Sequence, residues 1–221
     1  MLDGIMRRVI APPLAVAGRR LAAAGVSADA VTLAGFAAGL GSAAAVVLRL
    51  DLLAAVLFLA GRFADGLDGA IARARGRTDR GGFLDIVCDF AFYGAFPLAF
   101  ALREPQANAL AAAVLLFSFY ANGATFLAYA AVAARRGWES RARGVKSIYF
   151  TAGLAEGTET ILAFLLMLAL PQHFPAIAYV FAAMTLATAL GRALAGWQRF
   201  REAPHGAEPG FSTSRADRRA E

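Results

Sequence analysis

An all-α, polytopic membrane protein is the fold class this sequence predicts, and three observations predict it. The 221-residue chain is 59% hydrophobic and only 17% charged, with a mean hydropathy of +0.56, more apolar than a soluble domain carries. Six apolar stretches each approach the ~20 residues a helix needs to cross ~30 Å of hydrocarbon. The basic residues, finally, collect in alternate connections between those stretches.

Taken in order, the segment 1–27 reads as an N-terminal interfacial amphipathic helix. Its apolar runs are broken by Arg7-Arg8 and Arg19-Arg20, with Pro12 and Pro13 between them, a pattern that suits the membrane surface and does not suit a cleaved leader. Six transmembrane helices then follow within residues 28–201, over Ala30–Leu48, Leu52–Ala74, Gly82–Leu102, Ala109–Ala134, Thr151–Leu170 and Ala176–Trp197. Turn signals at Arg49/Asp51, Arg103-Glu-Pro105 and Pro171-Gln-His-Phe-Pro175 mark three short connections on one side. Residues 202–221 are polar and rich in Pro, Gly, Arg and Glu, which predicts a disordered tail. No internal repeat is visible.

Of the 22 basic residues, 18 fall before the first span, in the second-to-third and fourth-to-fifth connections, or after the last span. The positive-inside rule therefore places both termini and the longer connections on the cytoplasmic side of the cell (inner) membrane. The net charge of +6 is read as topology determinants and phospholipid contacts, and no nucleic-acid partner is expected.

Against that apolar background, four carboxylates stand out: Asp65, Asp68, Asp85 and Asp89. A charge at the centre of a membrane helix costs roughly 2.5–3.5 kcal/mol on insertion scales, so four at fixed spacing need a compensating partner. Spacings of three and four put each pair on one helix face. Two such faces turned together form an all-oxygen cage suited to Mg²⁺ or Mn²⁺. Gly69, lacking a Cβ, lets a ligand approach the backbone closely. A buried polar network is the alternative, but four carboxylates repel one another unless cations intervene.

The residues Asp65-x2-Asp68-Gly69-x2-Ala72-Arg73, followed by Gly81-x3-Asp85-x3-Asp89, fill every fixed position of a signature, and on them the chain resembles the CDP-alcohol phosphatidyltransferase family. The spacer between Arg73 and Gly81 is one residue shorter than usual and should lie in a turn, where length is tolerated. The resemblance implies an integral membrane homodimer with six helices per subunit and a reaction in phospholipid biosynthesis. An alcohol hydroxyl attacks the phosphorus of a CDP-alcohol, usually CDP-diacylglycerol, and CMP is released. It also implies a two-metal site of Asp65, Asp68, Asp85 and Asp89, with Asp89 acting as ligand, as general base, or both. Asp65, Gly69, Ala72 and Arg73 would line the CDP site, joined by Thr32, the one matching residue of a family element at the entry to the first span. Two divalent ions among facing carboxylates suit phosphoryl transfer.

The acceptor is less sharply written. Arg143 and Lys146 resemble the basic segment with which some members hold phosphorylated acceptors, and Arg62, three residues before Asp65, either pairs with a motif carboxylate or helps hold such a phosphate. Glu156 and Glu159, at i and i+3 near the fifth span, would receive an ammonium or polyol group or pair with Arg62 or Arg192. The sequence reading takes a phosphorylated polyol, such as glycerol 3-phosphate or inositol phosphate, with serine, ethanolamine or choline as the alternative. A cation or proton transporter and a catalytically silent scaffold are the rival classes. The transporter has no use for Gly69, Ala72 and Arg73, and a scaffold would be free to lose one of the aspartates.

The remaining features read as packing. Cys88 is the only cysteine, so no intramolecular disulfide forms, and it reads as a small apolar filler. Gly66 and Gly82 read as small residues at helix interfaces. Ser27 or Asp29 is expected to cap the first span. The aromatic clusters Phe90-Ala-Phe92-Tyr93 and Phe117-Ser-Phe119-Tyr120 occur at spacings that fill a bundle or face lipid and read as packing, and neither His173 nor His205 stands where a ligand or base is wanted.

Overall fold

A computed structural model of the chain describes residues 3–136 and 154–201, and no strand occurs among the described residues. The elements are α1 (Asp3–Ala23), α2 (Ala28–Val47), α3 (Asp51–Arg75), α4 (Asp79–Arg103), α5 (Pro105–Arg135), α6 (Gly157–Ala169), a short 3-10 turn (Pro171–His173) and α7 (Phe174–Arg201).

Four stretches are long and apolar enough to cross a membrane: α2, α4, α5 and the Pro171–Phe200 run that contains α7. Large apolar side chains face outward along them, Leu98, Leu110, Phe117 and Leu190 among them, as a lipid-facing surface requires. The chain is a multi-pass membrane protein. The two other expected spans fall short for different reasons. Helix α3 has the length, at 25 residues, but carries Asp51, Arg62, Asp65, Asp68, Arg73 and Arg75. Helix α6 is apolar, but at 13 residues it is shorter than a membrane crossing needs.

Helix α2 packs against both α3 and α4, α5 packs against α4 and α7, and α1 lies along α3. The α2–α3 contact depends on missing side chains. A Cβ on Gly35 would lie 2.9 Å from Ala64 Cβ, and one on Gly61 would lie 3.0 Å from the Gly35 carbonyl oxygen. Small residues permit this backbone approach, which is the main source of helix attraction where lipid is as apolar as leucine. One turn along the same face of α2, Gly39 leaves room for the Phe92 ring, whose Cδ2 would sit 2.7 Å from a Cβ there.

The core beyond these contacts is aromatic. Phe58, Phe92, Phe96, Phe100, Phe164 and Phe174 are all buried. Phe96 stacks on Phe164 with ring centroids 4.1 Å apart, and Phe100 stacks on Phe174 at 4.4 Å. Of the two aromatic clusters, Phe92 fills the bundle while Phe90, Phe117 and Tyr120 are exposed, so both placements that their spacing allowed occur.

Both ends of the α3–α4 pair are pinned. At one end Arg103 forms a two-pronged ion pair with Asp51, and Arg49 donates to the Arg103 carbonyl at 3.1 Å. At the other, α3 stops at Gly76, whose φ of +102° suits glycine, and Thr78 caps α4 by accepting from Gly81 N at 3.0 Å. The shortened spacer thus falls in the turn between the helices, as expected. Arg75 donates to the carbonyls of Gly25 and Val26 at 3.1 and 3.0 Å, tying this end of α3 to the α1–α2 turn. Ser27 caps α2, accepting from Ala30 N at 3.1 Å, which settles the choice between Ser27 and Asp29.

The N-terminal segment is one helix running through Pro12 and Pro13. It presses on α3 closely enough that a Cβ on Gly18 would lie 2.6 Å from Ala70 Cβ, and one on Gly66 would lie 2.9 Å from Leu14 Cδ1. Gly66 is therefore a packing glycine. At Gly82 a Cβ would meet nothing within 4 Å among the described residues.

Candidate active site

The facing surfaces of α3 and α4 bring Asp65, Asp85 and Asp89 together, each offering one carboxylate oxygen, and all three oxygens lie within 4.8 Å of one another. The spacing of four on α4 puts Asp85 and Asp89 on one face, and the close α2–α3 contact holds α3 at the depth where Asp65 meets them. The cavity they line also takes in Thr32, Gly35, Phe36, Gly61, Arg62, Asp68 and Cys88, and its volume is only about 10 Å³. That is room for roughly one water or ion.

Asp68 stands slightly apart. It is buried, and its Oδ2 accepts the Thr32 hydroxyl at 2.6 Å. Thr32 comes from α2, so the fourth aspartate is held by the helix that the family element introduces. Asp29, in the first turn of α2, pairs with Arg80 at 3.3 Å near the entry to α4.

Arg62 is the one cation lining this cavity among the described residues. Its Nη1 lies 3.2 Å from Asp89 Oδ1 and 3.8 Å from Asp65 Oδ2, and its guanidinium carbon lies 4.8 Å from the centroid of the Phe92 ring. Pairing with motif carboxylates, one of the two roles expected for it, is thus its position here. Its Nε is buried without a hydrogen-bond partner among the described residues.

Arg73 is exposed at the end of α3, with its Nη1 3.3 Å from where a Cβ on Gly69 would be. Gly69 thus leaves space into which the guanidinium folds, and Ala72 is half-buried beside it. Cys88, read from the sequence as filler, is buried but also lines the aspartate cavity. Nothing in its sequence neighbourhood beyond the i+3 step from Asp85 pointed there.

A second cavity, of about 220 Å³, opens among α4, α5, α6 and α7, lined by Tyr93, Phe119, Asn122, Ala155, Glu156, Gly157, Thr160, Thr185 and Arg192. Arg192 Nη1 donates to Asn122 Oδ1 at 3.0 Å. Glu156 precedes the first turn of α6, and Glu159 does not line this cavity. Sequence reasoning missed Asn122, Thr160, Thr185 and Tyr93, whose types are ordinary in membrane helices and whose convergence is tertiary. Arg143 and Lys146 lie outside the described residues.

The model of the CDP-alcohol phosphatidyltransferase family matches residues 26–193, the span that contains every aspartate above. The chain belongs to that family. It is an enzyme of the phosphatidyltransferase class, a membrane transferase of phospholipid biosynthesis. It is 43% identical over 197 residues to Inner membrane protein YnjF of Escherichia coli (strain K12), covering 89% of this chain and 96% of that one. It is 36% identical over 85 residues to Archaetidylinositol phosphate synthase of Pyrococcus horikoshii, covering 38% of this chain and 45% of that one. The fold is that of Mycobacterium tuberculosis phosphatidylinositol phosphate synthase (PgsA1), solved with CDP-DAG bound, at a TM-score of 0.66 and 20% identity over 83% of this chain and 93% of that one. A second structure of the same enzyme, with manganese and citrate, also gives 0.66 and covers 88% of that chain.

Proposed function

We propose that the chain transfers a phosphatidyl group from CDP-diacylglycerol, or a similar CDP-alcohol, to a small alcohol and releases CMP. The observation that carries this reading is the convergence of Asp65, Asp85 and Asp89 within 4.8 Å, with Asp68 and Thr32 on the same cavity.

The donor set fits a hard divalent ion: three carboxylate oxygens converge, with ion-sized room between them. Asp65, Asp68, Asp85 and Asp89 would hold Mg²⁺ or Mn²⁺, in a two-metal arrangement by resemblance to the family, and manganese in the PgsA1 structure supports the choice. Bound divalent ions supply charge neutralisation at the pyrophosphate. The chain's own groups do the rest. Arg73 and the open face of Gly69 and Ala72 receive the CDP moiety, Thr32 fixes Asp68, and Asp89 orients the attacking hydroxyl or takes its proton. The bond from phosphorus to the CMP oxygen breaks as the bond to the acceptor oxygen forms.

The six-span architecture within residues 28–201, the interfacial seat of α1, cytoplasmic termini and active site, and a homodimer belong to the same proposal. The positive-inside pattern and the family resemblance support them, and residues 202–221 would form a cytoplasmic tail. For the acceptor we take a phosphorylated polyol, glycerol 3-phosphate or inositol phosphate, the latter supported by the archaeal and mycobacterial inositol phosphate lipid synthases that the chain resembles. Serine, ethanolamine or choline is the second reading, favoured by the presence of Glu156 on the larger cavity.

The test is CMP release from CDP-diacylglycerol by detergent-purified protein with Mg²⁺ or Mn²⁺, each acceptor offered separately. Metal-dependent CMP that Asp89→Asn abolishes is the expected result. If no acceptor in the panel gives any, the transfer reading fails.

A further inference from the structure

The turn of α3 that carries Asp65 and Asp68 is gripped from two sides. At about 100° per residue, Gly61, Ala64 and Asp68 lie on one side of α3, and Gly66 and Ala70 lie on roughly the opposite one. The first side meets α2: a Cβ on Gly35 would lie 2.9 Å from Ala64 Cβ and 3.7 Å from the main-chain nitrogen of Asp65, and the Thr32 hydroxyl donates to Asp68 Oδ2. The second side meets α1. A Cβ on Gly18 would lie 2.6 Å from Ala70 Cβ, 2.8 Å from the Ala70 carbonyl carbon and 3.1 Å from Ile71 N, and one on Gly66 would lie 2.9 Å from Leu14 Cδ1.

The sequence arranges the α1 contact. Leu14 and Gly18 on α1, and Gly66 and Ala70 on α3, are each spaced i and i+4, so each pair lies on one helix face. The small residues then let the two backbones approach closely. Gly66 and Ala70 are positions that the aspartate signature leaves free, and in this chain they carry the seat of α1. A second tie lies past the end of α1, where Arg75 donates to the carbonyls of Gly25 and Val26. The family match begins at residue 26, so the whole of α1 stands ahead of it. Between two such contacts α3 has nowhere to retreat, because packed interiors do not compress. A push from the α1 side must tilt or slide α3, and loss of Leu14 removes its stop on that side. Either change moves Asp65 against Asp85 and Asp89, whose carboxylate oxygens lie within 4.8 Å of its own. A site of this kind tolerates displacements of only about 0.5 Å.

We infer that α1 is a positioning element for the metal site, acting through Leu14 and Gly18 on the turn of α3 that carries Asp65 and Asp68. The inference rests on the metal reading above and adds to the site a helix that lies outside the family match.

The experiment titrates Mn²⁺ into the full chain in detergent, read by electron paramagnetic resonance at a temperature where circular dichroism shows each protein fully folded. The proteins are the wild type, Leu14→Ala, Leu14→Met, Gly18→Val and, as a control, Phe174→Leu. Phe174 stacks on Phe100, which lies about 16 Å along α4 from Asp89 at 1.5 Å per residue, so the control weakens the bundle away from the site. Leu14→Ala and Gly18→Val should weaken Mn²⁺ binding tenfold or more. Leu14→Met, which conserves volume, should stay within threefold of wild type, and Phe174→Leu should melt lower yet bind within twofold. Affinity unchanged in both Leu14→Ala and Gly18→Val overturns the inference. So does a loss in Phe174→Leu as large as theirs, which would make the effect one of general stability. If Gly18→Val does not fold, the two Leu14 variants decide. A wild type that binds no Mn²⁺ would sink the metal reading and this inference with it, whereas wild-type binding and metal-dependent CMP release that the α1 variants leave intact would sink this inference alone.

Discussion

Arg62 on α3 reaches across to Asp89 on α4, Nη1 to Oδ1 at 3.2 Å, while remaining 3.8 Å from Asp65 one turn along its own helix. A guanidinium thus sits where three carboxylates converge and offsets part of their mutual repulsion. The Arg62 side chain is 12% exposed and that of Asp89 32%, so this pair is screened less than a surface pair. Breaking a fully buried pair costs about 3–5 kcal/mol, and the partial exposure here argues for a smaller loss, on the order of 1–3 kcal/mol. Arg62→Gln is therefore expected to lower the metal-free melting temperature in detergent and to enlarge the stabilisation given by added Mn²⁺, because the freed carboxylates then have only the ion to neutralise them. Equal melting of variant and wild type without metal would sink this.

The three-plus-one arrangement of the aspartates predicts unequal losses. Asp65, Asp85 and Asp89 present converging oxygens, whereas Asp68 is held by Thr32. Replacing one of the converging three, as in Asp85→Asn, should abolish Mn²⁺ binding measured by electron paramagnetic resonance. Thr32→Val removes a supporting hydrogen bond, a class of change that costs roughly 10–100-fold in metal affinity. Binding that survives Asp85→Asn within twofold of wild type would contradict the site.

Thr32 also tests whether the α2 entry element contributes to CDP recognition. Its hydroxyl has one proton, and the 2.6 Å contact to Asp68 is shorter than the 3.1 Å contact to the Ala28 carbonyl, so Thr32→Val leaves a buried carboxylate oxygen without its donor. The penalty for such an orphan is about 1–3 kcal/mol. The expected effect is a fall of tenfold or more in kcat/KM for CDP-diacylglycerol, with Thr32→Ser recovering most of it. Indifference to both changes would show that Asp68 needs no help from α2.

Much of this site was legible in the sequence because helical spacing and the expense of buried charge are local rules. Asp85 and Asp89 share a face by their spacing alone, and Arg62 lies one turn before Asp65 for the same reason. The cap at Ser27, the short turns and the shortened spacer followed equally from local chemistry. What stayed hidden is tertiary. Tyr93, Asn122, Thr160 and Thr185 come from four helices and acquire meaning only where those helices enclose one cavity. Gly66 and Gly82 look alike in sequence, yet among the described residues only the first has a neighbour, Leu14. The span count reached past the described helices because α3 is charged for chemistry, and the rule that reads membrane helices by hydropathy counts those charges against it.

The depth at which α3 meets α4 is set by the glycines of the α2–α3 contact, and this gives a last prediction. A Cβ on Gly35 would lie 2.9 Å from Ala64 Cβ and 3.3 Å from the Gly61 carbonyl oxygen. A larger side chain must therefore push α3 away from α2, and backbone cannot yield as a flexible side-chain tip would. Overpacking of this kind costs typically about 1–3 kcal/mol. Asp65 lies one turn beyond Gly61 on α3, so the same displacement carries its carboxylate away from Asp85 and Asp89. Gly35→Val should therefore lower both melting temperature and Mn²⁺ affinity. Gly94→Val, on α4 where a Cβ meets nothing within 4 Å, should change Mn²⁺ affinity little. If Gly35→Val melts lower but binds Mn²⁺ as tightly as wild type, the α2–α3 contact stabilises the bundle without setting the geometry of the site.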